Sequence, residues 1–406
     1  MDDIIIETGS SSKTPESSID SSIASSISSS SYEDIHNIKT ESNQKYHITI
    51  LPPSRANLVK ESFDNHCLAI TSEEHLEISL PEIQENENTP DEILAASSDT
   101  CIINSKTCIK RLILEGGGVR GIAFIGGLRA LYDEQILNSV NQIAGSSVGG
   151  LIAILIAVGY SIDEMEDIFK EMDFVKLKDD KFGIFRDTKR LIKKFGLYRG
   201  EYLKKMMRKF IFRKMNTRYC SFKYLFDEKN IELLLTGTNV NYRKVEYFHY
   251  KTTPDMDIVD ALRITASMPF LYKAVEYNGC MYVDGGMACN YPFKSFWELQ
   301  GNKGDPDVTY INETLGMRVE SKNEILEHDG IPVKYPTDNI ISFSEGLIET
   351  MFNIIDKRNV NPEIMKHTIL IMTNINSLKF DLTSDEKKSL YTSGYETTFN
   401  FIRNIK

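Results

Sequence analysis

The spacing of apolar residues divides the chain into an N-terminal arm and a folded body. Serine dominates residues 1–45, with few aromatic side chains to bury, so this arm is expected to be disordered. Residues 46–51 and 75–80 alternate apolar and polar positions as strands do, whereas the Glu- and Asn-rich residues 82–92 look like a linker. Residues 46–107 are therefore assigned as an accessory segment or linker. From residue 111 onward the pattern is denser. Apolar strand-like runs at residues 111–115 and 140–144 are each followed by a helix-like run, and the second of these, residues 148–158, is almost wholly apolar, as in a buried helix. Residues 231–235 and 368–372 supply further core strands, and residues 245–250 alternate. Strands alternating with helices imply a mainly parallel sheet with right-handed crossovers, here a three-layer α/β/α domain. Residues 108–300 are expected to form its catalytic core and residues 301–406 to complete it.

Local signals sharpen several boundaries. Ser161 with Glu164, and Thr383 with Glu386, have the spacing of capping boxes. Thr253 followed by Pro254 predicts a helix start, with the helix running to Ser267. Asn278-Gly279 between residues 275–277 and 280–283 predicts a tight β-hairpin, which delivers Asp284 into Gly285-Gly286.

Two glycine clusters stand at the strand-to-helix junctions. Gly116, Gly117, Gly118, Val119, Arg120 and Gly121 follow the first strand and present backbone N–H groups at a helix N-terminus, where negative charge is stabilised. Gly145-Ser146-Ser147-Val148-Gly149 follows the second and has the form of a nucleophile elbow, with Ser147 exposed on a sharp turn and Gly145 and Gly149 relieving the crowding. A nucleophile next to an oxyanion hole is the machinery of acyl transfer. Gly116, Gly118 and Gly121 also satisfy the dinucleotide-binding spacing. That reading requires an acidic residue at the end of the second strand, where this chain has Gly145-Ser146-Ser147 instead.

A serine hydroxyl needs a base. His36, His47, His66 and His75 precede the core, His328 lies in a polar loop, and His249 and His367 lie in or beside strands; of these only His367 can be argued as the histidine of a triad. Asp284 is either a turn residue or a base presented from a strand end.

The three ordered motifs Glu115-Gly116-Gly117-Gly118-Val119-Arg120-Gly121, Gly145-Ser146-Ser147-Val148-Gly149 and Asp284-Gly285-Gly286 resemble those of the patatin-like phospholipases. Residues 196–201, 236–239, 261–270 and 290–292 are similar as well, so the likeness covers residues 110–300. The resemblance implies a Ser147–Asp284 dyad without histidine, an oxyanion hole from the glycine-rich loop and hydrolysis of acyl esters in lipids, without cofactor or metal. Asp284 would need burial to raise its pKa far enough to act as a base. Arg120 would orient the loop, help neutralise the oxyanion or simply face solvent.

Charge then narrows the partners. The chain carries a net charge of −11, yet residues 176–214 hold 15 Lys/Arg against 4 Asp/Glu. Interleaved with aromatics, they suit an anionic membrane surface, with Lys193, Lys194, Lys204 and Lys205 as the docking cations; a solvated pair of helices over the cleft is the plainer alternative. No nucleic-acid motif accompanies them. Asp255, Asp257 and Asp260 lack the glycine and glutamate of a calcium loop and suit the first turn of a helix. The six cysteines show no metal spacing, and neither a secretory signal nor an 18-residue apolar span is present. These features predict a cytoplasmic, peripherally membrane-associated enzyme acting on phospholipid or another acyl-ester lipid. Alternatives are a lipase for neutral glycerides and an effector silent until a protein activator engages it.

Overall fold

The computed structural model describes residues 37–39, 45–47, 108–179, 191, 193–321, 334, 337–338 and 340–404. The expectations for the serine-rich arm, for residues 75–80 and 82–92, and for His328 lie outside them. The chain divides into two units, Met1–Leu94 and Ala95–Lys406. In the first, β1 (Asn37–Lys39) and β2 (Lys45–His47) pair antiparallel, with Asn37 opposite His47.

In the second unit the alternation seen in the sequence becomes β3 (Arg111–Leu114), α1 (Gly121–Asp133), β4 (Gln142–Gly145) and α2 (Ser147–Val158). There follow α3 (Ile162–Glu171), β5 (Gly196–Tyr198), α4 (Glu201–Met215), α5 (Phe222–Lys229), β6 (Glu232–Asn239), β7 (Lys244–Phe248), α6 (Ile258–Thr265), β8 (Phe270–Tyr272), β9 (Val275–Tyr277) and β10 (Cys280–Val283). The chain continues through α7 (Gly286–Cys289), α8 (Ser295–Leu299), α9 (Val308–Asn312), β11 (Thr314–Ser321), α10 (Ile340–Asn359), α11 (Pro362–Lys366), β12 (Thr368–Thr373) and α12 (Ser384–Arg403).

The main sheet has the order β12-β11-β3-β4-β6-β10-β9, with β7 also on β6. Its first five strands are parallel; β7 and β10 run antiparallel to β6, and β9 antiparallel to β10. The period-2 pleat sends alternate residues to opposite faces. Leu112, Leu114, Ile143, Leu233 and Leu235 pack into one core with Phe124 of α1, Ile152 of α2, Phe169 of α3, Leu262 of α6 and Leu390 of α12. Ile113, Ala144 and Leu234 face the other way, onto Phe296 of α8, Tyr310 of α9 and Ile364 of α11. Two helical layers on a mainly parallel sheet make this a three-layer α/β/α fold.

Both capping boxes form. Ser161 Oγ accepts from Glu164 N at 3.2 Å and Ser161 N donates to Glu164 Oε2 at 2.8 Å; Thr383 and Glu386 repeat the arrangement. The hairpin forms as predicted, with Asn278 (φ 48°) and Gly279 (φ 73°) in the left-handed conformations that a two-residue turn demands. The helix expected from Thr253 starts instead at Ile258. Thr253 Oγ1 is occupied by His249 N at 3.1 Å, while the Asp257 side chain accepts from Val259 N at 2.8 Å and so caps the helix. Among the described residues no helix is long and apolar enough to cross a membrane.

Candidate active site

Strand β6 organises the site. Leu235 pairs with Gly145 of β4 and with Phe248 of β7, and Thr238 pairs with Val283 of β10 and with Val245 of β7. Because β7 occupies one edge throughout, β4 and β10 share the other edge and approach each other from opposite ends. Only Thr236 and Gly237 of β6 lie between them. The turns leaving the two strands carry Ser147 and Asp284, so the register brings these two residues together.

Ser147 follows β4 with φ 49°, a left-handed conformation that costs a non-glycine residue on the order of 1–2 kcal/mol. Its backbone N–H donates to Thr265 Oγ1 at 3.0 Å. A Cβ on Gly145 would stand 2.4 Å from the Gly149 carbonyl carbon, and one on Gly149 2.4 Å from the Leu114 carbonyl oxygen, so only glycine lets strand and helix pass this closely. Ser147 is half-buried and reachable from outside.

Asp284 is fully buried. Its N–H donates to Ser267 O at 2.9 Å, its carbonyl accepts from Thr238 Oγ1 at 2.7 Å and its Oδ1 accepts from Gly286 N at 2.8 Å. Oδ2 has no partner within hydrogen-bond distance. The Ser147 hydroxyl nevertheless lies close enough to favour the ionised form. Burial dominates and pushes the carboxyl up to about 7, against the opposing pull of the Gly286 N–H and the Ser147 hydroxyl. Such a group can both take and return a proton near neutrality.

The glycine loop corrects one expectation. Gly116 N donates to Asn290 O at 3.2 Å and Val119 N to Ser377 O at 2.9 Å, so neither N–H is left for an oxyanion. Among the described residues Gly117, Gly118 and Val148 carry backbone N–H groups without an acceptor. Gly118 sits at φ 57°, and a Cβ there would lie 2.1 Å from Ser377 O. Arg120 is buried rather than solvent-facing and donates from Nε to Gly117 O at 3.4 Å, which orients the loop. Gly121 opens α1, tight against Val148. Gly285 and Gly286 fit between Thr236, Asn290 and Phe352.

Sequence reasoning missed three supports. Asn290 clamps the loop reciprocally, its Nδ2 donating to Gly116 O at 3.3 Å. Thr265 holds the nucleophile. Glu115 accepts from Arg318 Nε and from Val319 N, both at 3.0 Å, and so anchors the strand end that leads into the loop. All three lie in stretches that carry the family resemblance, which by itself gave none of them a role.

The histidines lie elsewhere. His249 pairs with Glu232 at the start of β6 and His367 precedes β12, both at the strand ends opposite Ser147. Of the basic residues, Lys193, Lys194 and Lys205 are exposed, whereas Lys204 pairs with Asp260 at 2.7 Å and so ties α4 to α6. Among the described residues no group of three or more His, Cys, Asp or Glu side chains could hold a metal ion.

A serine held on a strained elbow beside a buried carboxyl is the equipment of an ester hydrolase. The family model for patatin-like phospholipase matches residues 112–297. Protein R571 of Acanthamoeba polyphaga mimivirus is 33% identical over 298 residues, which cover 72% of this chain and 93% of that relative. The probable lipid hydrolase 463L of Invertebrate iridescent virus 6 is 30% identical over 184 residues, or 45% of this chain and 61% of that relative. Among solved structures, VipD from Legionella pneumophila aligns with 94% of this chain and 72% of its own at 14% identity and a TM-score of 0.46. The chain belongs to the patatin-like phospholipase family.

Proposed function

We propose that this protein is a phospholipase of the A type, cleaving carboxylic ester bonds of membrane phospholipids through a Ser147–Asp284 dyad. The observation that carries the reading is the buried Asp284 carboxyl, raised to about 7, next to a serine on a left-handed elbow. Ser147 Oγ attacks the ester carbonyl carbon as its proton passes to Asp284. The N–H groups of Gly117, Gly118 and Val148 hold the oxyanion. Collapse breaks the bond to the alcohol oxygen, which leaves with the proton from Asp284. Water then attacks the acyl-enzyme and gives its proton to the same carboxylate. The second collapse frees the fatty acid and restores the serine hydroxyl.

Purified protein should release fatty acid from phospholipid vesicles faster than from triglyceride emulsions, and should also cleave soluble short-chain esters. With Asp284 as the base, kcat/KM on a soluble ester should rise about tenfold per pH unit below about 7 and level off above it. A profile flat from pH 5 to 8 removes Asp284 from the role of base. Preference for triglyceride would assign the enzyme to neutral lipids instead.

The exposed cations Lys193, Lys194 and Lys205 support attraction to an anionic surface. Each lysine near such a surface contributes on the order of 1 kcal/mol at low salt. Replacing all three with Glu should weaken binding to vesicles containing phosphatidylserine, and 0.5 M salt should do the same to the wild type; binding insensitive to both would leave these lysines as ordinary solvated residues. Lys204 is kept because its partner is Asp260.

A further inference from the structure

Helix α10 carries four large apolar residues on its outer face. Phe343, Leu347, Met351 and Ile354 are 42–50% exposed, although large side chains on a surface helix normally turn inward. Their spacing of four, four and three residues places them within an arc of roughly 80° at the helical repeat of ~100° per residue. The opposite side of the helix does the packing. Ile348 is buried, and a Cβ on Gly286, two residues beyond Asp284, would stand 2.9 Å from the Phe352 ring. Glu349 Oε1 accepts from Ser377 Oγ at 2.9 Å, and Ser377 O in turn receives Val119 N of the glycine loop. The helix therefore leans on the turns that carry Asp284 and the glycine loop, and turns an exposed apolar stripe outward.

A second apolar pair stands on the other flank of the same turn. Phe195 and Phe270 are exposed and both have positive φ, at 61° and 64°, an uncommon backbone state for a bulky residue that clusters at functional sites. Phe270 N donates to Phe195 O at 3.3 Å, and Phe270 lies three residues beyond Ser267, whose carbonyl holds Asp284 N. Lys193 and Lys194 precede the pair and are exposed. A chain of contacts runs between them: Ser377 leads to Phe380, whose ring lies 5.0 Å from Lys178 Nζ, and Leu177 O accepts from Tyr272 Oη of β8 at 3.3 Å.

We propose that the outer stripe of α10, with Phe195 and Phe270, is the surface that inserts into a lipid bilayer bearing anionic head groups. This rests on the lipid-hydrolase reading, since a lipid ester must leave a bilayer to reach Ser147. Apolar side chains enter the acyl boundary beside the mouth of the site, and the lysines next to the aromatic pair meet the head groups, the division of labour of an interfacial amphipathic element.

Binding and chemistry can be tested separately. On a Ser147→Ala background, the full chain should cosediment with phosphatidylcholine/phosphatidylserine vesicles, and adding Leu347→Ser and Met351→Ser should weaken that partitioning about tenfold. With Ser147 intact, the same two changes should lower vesicle hydrolysis by a similar factor and leave soluble-ester hydrolysis within about twofold. Leu347→Trp supplies a measurement that needs no loss of function, because the chain has one native tryptophan to subtract. Its emission should shift to the blue on vesicles and be quenched by brominated lipid. Unchanged partitioning with no blue shift overturns the proposal. So does a serine variant that dissociates a dimer while binding vesicles normally, since the stripe would then belong to a second copy. If no ester is cleaved but the Ser147→Ala protein still binds through the stripe, the hydrolase reading fails and the docking surface stands. Vesicle hydrolysis that is indifferent to the stripe overturns the docking surface and leaves the hydrolase reading in place.

Discussion

Asp284→Asn should lower kcat/KM for ester hydrolysis by about 10³-fold or more and make the protein more stable above pH 7. On the proposed dyad the loss follows from removing the base while the turn at Ser147 remains. The gain follows from burial. In the folded state the carboxyl titrates at about 7, against an ordinary value of 3.8. Between about pH 4 and 7 the folded protein holds a proton that the unfolded chain has released, so wild type loses stability as pH rises through that window and stays at its lowest above it. The difference corresponds to on the order of 4 kcal/mol at 1.36 kcal/mol per unit. Asparagine carries no charge to desolvate and can still accept from Gly286 N through Oδ1. Melting temperatures of the two proteins should nearly coincide at pH 4 and separate by several degrees at pH 8, with the variant higher. Ser147→Ala should be equally inactive but keep the wild-type pH slope, because Asp284 is still buried there. A pH slope shared by wild type and Asp284→Asn would show that another group sets it.

What could be read in the sequence follows how local each cause is. The glycine-flanked turn at Ser147, the hairpin and both capping boxes depend on residues within a few positions of one another, and all are present in the structure. The start of α6 could not be read, because Thr253-Pro254 and Asp257 offer equally good local caps. The choice falls to tertiary partners: His249 N takes the Thr253 hydroxyl, and Arg208 pairs with Asp257 at 2.9 Å. The same limit hid which loop N–H groups remain for an oxyanion. Their competitors are the carbonyls of Asn290 and Ser377, more than 170 residues away in the chain. A charge count likewise found the basic segment without showing that Lys204 and Lys214 pair with Asp260 and Glu164. Spacing identifies the chemistry a residue can supply, and the fold decides which atoms remain available for it.

Arg318→Met should be the most destabilising single change near the site, at about 3–5 kcal/mol, the usual cost of breaking a buried ion pair from one side. Arg318 is buried between two acidic side chains. Its Nε donates to Glu115 Oε1 and its Nη2 to Glu320 Oε1, both at 3.0 Å, and its guanidinium lies 5.3 Å from the centre of the Tyr291 ring. Methionine fills much of the volume but leaves two buried carboxylates without their shared cation. Glu115 also accepts from Val319 N and immediately precedes Gly116, so the damage reaches the oxyanion loop: kcat should fall more than KM rises. Adding Glu115→Gln to Arg318→Met removes one stranded charge and should recover part of the stability without restoring the loop. Denaturant unfolding of the two single variants and the pair closes that cycle. Additive losses would mean that Glu115 and Arg318 act independently and that the pair does not anchor the loop.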